Sequence, residues 1–83
     1  MNVQQAFKAE QAEFEDAIHN KMRLNTAYFG ADIRRAAFPE MHKERFNRKI
    51  SWAVKNGKIK MIEYNRFIFY YRGIPVIREM VFT

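Results

Sequence analysis

RFNRKISWAVKNGKIKMIEYNRFIFYY, residues 45–71, contains the change of apolar period that decides the fold. Up to Gly57 the apolar residues recur at helical steps of three and four, placing Phe46, Ile50, Ala53 and Val54 on one side of a helix. After Gly57 the chain fills with the residues strands prefer: Ile59, Met61, Ile62, Tyr64, Phe67, Ile68, Phe69, Tyr70 and Tyr71. Asn56-Gly57 supplies a left-handed stop for the helix, and Asn65-Arg66 divides the apolar run as a two-residue turn. The stretch therefore predicts a helix over 41–56 and a hairpin over 58–72, with Tyr64 opposite Phe67. That register puts Lys60, Ile62, Tyr64, Phe67, Phe69 and Tyr71 on one face and Ile59, Met61, Ile68 and Tyr70 on the other. Both faces are apolar, so register alone does not choose the one that meets the core.

Upstream, Phe38-Pro39-Glu40-Met41 closes a short helix over 32–38, with Ile33, Ala36 and Ala37 along one side and Pro39 as its stop. Leu24 to Gly30 reads as extended. Residues 2–20 form a longer amphipathic helix whose stripe runs through Val3, Phe7, Phe14 and Ile18, with Gln11 among them. Asn2 and Gln5 stand at capping-box spacing, and Lys21 and Arg23 suit the negative end of the helix dipole. Downstream, Gly73 and Pro75 interrupt the apolar run before Val76 to Phe82, a third strand in which Pro75 belongs at the start or edge.

This order of elements resembles the winged helix-turn-helix family of nucleic-acid-binding domains over about residues 24–72. Ile33-Arg34-Arg35-Ala36-Ala37-Phe38 stands as the first helix of the pair. Arg45-Phe46-Asn47-Arg48-Lys49-Ile50-Ser51-Trp52-Ala53-Val54 looks like the recognition helix, and Lys55-Asn56-Gly57-Lys58-Ile59 like the exit into the wing. The turn departs from the family pattern, since it lacks a small residue and no Ser or Thr precedes the third helix. The resemblance implies an α+β, winged-helix-like fold: one domain over residues 1–83, with three helices, a β-hairpin and the C-terminal strand. It also implies duplex DNA as partner.

Charge points the same way. Lys and Arg number 15 against 9 Asp and Glu, a net +6, which favours an anionic partner. Glu10, Glu13, Glu15 and Asp16 against Lys8 leave −3 on residues 2–20 and +9 on residues 21–83. Residues 42–60 alone carry Lys43, Arg45, Arg48, Lys49, Lys55, Lys58 and Lys60 against Glu44. Opposite the apolar stripe of the third helix the wheel sets Arg48 and Lys55 at the centre, with Arg45 and Trp52 beside them. Guanidinium groups suit guanine edges or phosphate, ammonium groups suit phosphate, and an indole offers a stacking face. Arg34 and Arg35, on the helix that crosses the backbone in the resembling family, and Arg66 at the hairpin tip complete the candidate interface.

Two other readings use the same residues. The aromatics between Tyr64 and Tyr71 are also what a surface stacking unpaired DNA or RNA bases would carry, and equally what a small core needs. Apolar hairpin faces followed by another strand also suit a protein partner, as an interaction or inhibitor module. A homodimer is open. Catalysis is not expected: there is no Cys, Thr26 and Ser51 lack a neighbouring His–carboxylate pair, and no Gly-rich phosphate loop is present. His19 and His42 are too few for a metal cage, so no metal, cofactor or small-molecule ligand is expected. The first residues lack the pattern of a secretory signal and no apolar run approaches membrane-spanning length. The expectation is a cytoplasmic protein, nucleoid-associated or nuclear according to host, acting as a small transcriptional regulator or accessory factor.

Overall fold

In the computed structural model, residues 2–74 are described; the third strand expected over Val76 to Phe82 lies outside them. Helix α1 spans Val3–Lys21, α2 Gly30–Ala37 and α3 Lys43–Lys55, followed by strands β1, Lys60–Tyr64, and β2, Phe67–Tyr71. The capping box forms as the spacing predicts. Asn2 Oδ1 accepts the Gln5 amide at 2.8 Å, and Gln5 Oε1 accepts the Asn2 amide at 3.3 Å.

Helix α3 begins two residues later than expected, because His42 acts as its cap: Nδ1 accepts the Glu44 amide at 3.2 Å. An imidazole nitrogen here does what a Ser or Thr oxygen usually does. Between α2 and α3 the Arg34 guanidinium donates to the carbonyls of Pro39 and Met41, both at 3.4 Å, and the Phe38 ring stacks on Phe14 with centroids 5.2 Å apart.

The core joins the three helices. Phe14, Ile18, Met22, Ile33, Phe46, Ile50, Ala53 and Ile59 are buried together, and Phe46 meets Phe14 edge to face at 5.5 Å. Val3 and Phe7, although in the same stripe as Phe14, remain 85% and 52% exposed. Gln11 is buried because it has its own partners: its amide nitrogen donates to the Lys49 carbonyl at 2.9 Å and to Glu15 at 3.1 Å, and Asn56 also donates to Glu15, at 2.8 Å. This polar seam fixes α1 against α3.

The hairpin has the expected register, from Lys60 opposite Tyr71 to Tyr64 opposite Phe67. Asn65 and Arg66 both take positive φ, 52° and 70°, as a type I′ turn requires. Tyr28 exchanges both backbone hydrogen bonds with Tyr70 at 2.8 Å, so the segment before α2 adds one pair to the free edge of β2. Both faces contribute buried residues. Ile59 and Tyr70 pack with the helical core, while Phe69, on the opposite face, is also buried, with the Phe29 ring 4.8 Å away; Met61 and Ile68, on the same face as Tyr70, stay half exposed. Burial among these aromatics pushes the Tyr70 hydroxyl pKa up from its ordinary 10.0.

Candidate nucleic-acid interface

Helix α3 presents three sides. Phe46, Ile50 and Ala53 face the core, while Arg45, Lys49 and Trp52 turn toward α1. Asn47, Arg48, Ser51 and Lys55 are exposed on the outward side, and Arg48 also borders the cleft against α1. Ser51 Oγ donates its one proton to the Asn47 carbonyl at 2.9 Å, which leaves the Ser51 oxygen as an acceptor beside the charges of this side. Among the described residues, Arg48 and Lys55 have no acidic partner. The Lys55 ammonium lies 4.9 Å from the Trp52 ring centroid, a cation–π contact. Trp52 itself is 46% exposed and stands beside Phe7 of α1.

The remaining candidates fall into two groups. Lys43, Lys58 and Arg66 are exposed, at the first turn of α3, at the entrance to β1 and at the hairpin tip respectively. The others have protein partners. Arg35 pairs with Asp32 at 2.9 Å, Arg34 holds the carbonyls of the turn, and Lys60 Nζ donates to the Gly73 carbonyl at 3.3 Å. Arg45 and Lys49 both reach Glu10 Oε1, at 2.6 Å and 2.9 Å. Lys49 first and Arg45 second hold the Glu10 carboxyl below its ordinary 4.5.

The acidic first helix is therefore not separate from the basic surface, as charge counted by segment suggests; Glu10 lies against α3 across 35 positions of sequence. Composition gives no signal for that contact. Asn47 and Ser51 could have been found from the same wheel that placed Arg48. Arg72, another basic residue outside the predicted interface, closes the C-terminal end of α1 by donating to the carbonyls of His19 and Met22 at 3.0 Å and 2.7 Å.

The chain matches no family model, no curated protein and no solved structure. No described helix is long and apolar enough to cross a membrane, and no three His, Cys, Asp or Glu among the described residues are grouped to hold a metal ion.

Proposed function

We propose that this chain is a non-catalytic duplex-DNA-binding domain of winged-helix type, acting as a small transcriptional regulator or accessory factor. One observation carries the reading: α3 exposes Arg48, Lys55, Asn47 and Ser51 on the side its core residues leave free, without an acidic partner for either cation among the described residues. A helix with its side chains is roughly 10–12 Å across, which fits a major groove about 12 Å wide. Arg48 is suited to a base edge or a phosphate, and Lys43, Lys55 and Lys58 are suited to phosphates.

The hairpin supports the same reading. Its tip carries Arg66, exposed at the turn, next to Phe67, whose ring meets Phe29 at the start of α2 with centroids 5.9 Å apart. An exposed guanidinium at the tip suits contact with a neighbouring groove or phosphate run while α3 occupies the major groove. The pairing of Tyr28 with Tyr70 adds a strand-like segment to the hairpin, consistent with a winged-helix sheet.

Titration against duplex DNA, single-stranded DNA and duplex RNA at two salt concentrations tests the proposal. Preference for duplex DNA with steep salt dependence is expected. Preference for single strands would transfer the function to base stacking on the exposed rings of Phe29 and Phe67, which are 43% and 57% exposed. Absence of binding to all three would favour a protein partner for the apolar hairpin.

A further inference from the structure

Glu10 Oε1 occupies the point where two cations of α3 converge. Arg45 and Lys49 are one helical turn apart, a spacing that lets both side chains reach the same oxygen, and they do so at 2.6 Å and 2.9 Å. The Lys49 side chain is only 11% exposed, so its ammonium has few water partners to replace that contact. Arg48 lines the same cleft, of about 260 Å³, whose apolar walls are Phe7 and Trp52. Three cations thus border one carboxylate, and the cleft keeps a positive balance when Glu10 is in place.

A carboxylate oxygen and a non-bridging phosphate oxygen make the same charge-assisted contacts with guanidinium and ammonium groups. We infer that Arg45 and Lys49 form a phosphate subsite which Glu10 fills in the free protein, as an internal competitor displaced by the backbone of bound duplex. The inference rests on the DNA-binding reading above and extends it to a particular phosphate position and its regulation. Glu10 is 49% exposed, so its side chain has water to turn into when a phosphate arrives. Its presence lowers both the affinity for duplex and the number of counterions released on binding.

The test compares the parent with Glu10→Gln, which keeps the side chain without its charge, and Glu10→Ala, which empties the position. Asp16→Asn makes the same charge change at an exposed residue of α1 that has no ion pair among the described residues. Duplex binding is followed by anisotropy over a salt series, and inorganic phosphate binding by amide shifts at Arg45 and Lys49. One recovered phosphate contact contributes about 0.9 to the salt slope and roughly eightfold in affinity at about 0.1 M salt. Glu10→Gln and Glu10→Ala should therefore bind duplex about five- to tenfold more tightly, with a slope steeper by about one, while Asp16→Asn stays near the parent.

If both Glu10 variants remain folded and bind duplex no more tightly than the parent, the subsite is refuted and the DNA-binding reading survives. An equal gain in Asp16→Asn would likewise refute it, by assigning the effect to overall charge. If phosphate shifts Arg45 and Lys49 only in the Glu10 variants but no form binds duplex, the anion subsite stands and the DNA-binding reading fails. If neither duplex nor phosphate binds any form, both fail.

Discussion

Replacing Arg48 and Lys55 together by Ala removes two cations from the outward side of α3 and leaves its core side untouched. Both residues are exposed, and the substitution forfeits the cation–π attraction between Lys55 and the Trp52 ring at 4.9 Å, worth about 0.5–1 kcal/mol at an exposed site. The fold should survive. If each residue neutralises one phosphate, the slope of log affinity against log salt falls by about 1.8. At about 0.1 M salt that corresponds to roughly 60-fold weaker binding, or about 2.4 kcal/mol. Anisotropy of a labelled duplex over a salt series measures slope and affinity together, with circular dichroism and thermal melting as checks on folding. Lys21→Ala with Arg23→Ala changes net charge equally, and Lys21 lies 11 residues beyond Glu10, about 16 Å along α1. This control should retain most of the affinity. A folded Arg48, Lys55 variant that binds within about threefold of the parent, with an unchanged slope, would refute the assignment of this face. An equally large loss in the control would reduce the interaction to bulk charge attraction.

Phe46 is 1% exposed and touches Phe14, so Phe46→Ala should cost about 3–5 kcal/mol in denaturant unfolding; a loss below about 1 kcal/mol would remove it from the core. Gly73→Ala should destabilise more than Gly57→Ala: both have positive φ, 79° and 74°, but of the two only Gly73 would bring a Cβ against other atoms, Asn25 Oδ1 and Leu24 Cδ1. Equal melting temperatures for these two variants would contradict that packing. The Glu10 carboxyl is held below 4.5 by Lys49 and Arg45, so its contribution to stability is present above pH 4.5 and is lost as pH falls through the lowered folded value. Glu10→Gln should flatten the stability profile in that acidic window, and an unchanged profile would show that the ion pairs add nothing to folding.

The change of period at Gly57 and the turn at Asn65-Arg66 were legible because each is a local property, of side-chain spacing or of two backbone torsions. The packing of the hairpin was not, because both faces are apolar and its docking depends on Tyr28 pairing with Tyr70 across 42 positions of sequence and on Phe29 covering Phe69 across 40. The helical stripe of α1 failed for a related reason. Periodicity says which residues share a side, and it correctly grouped Phe7 with Phe14; it cannot say whether another element reaches that side, and Phe7 stays half exposed.

The same distinction governs the candidate interface. On a helical wheel Arg45 and Arg48 both lie on the polar side of α3 and have the same chemistry. In space Arg45 is joined to Glu10, whereas Arg48 has no acidic partner among the described residues. Charge adds along a chain, but ion pairing depends on distance, so a segment's net charge overstates the cations available to an incoming anion. Arg48 can meet a phosphate without first giving up an ion pair. Arg45 must exchange one acidic oxygen for another, so its net contribution to binding is smaller than its charge suggests, and Arg48 and Lys55 are the residues on which duplex affinity should chiefly depend.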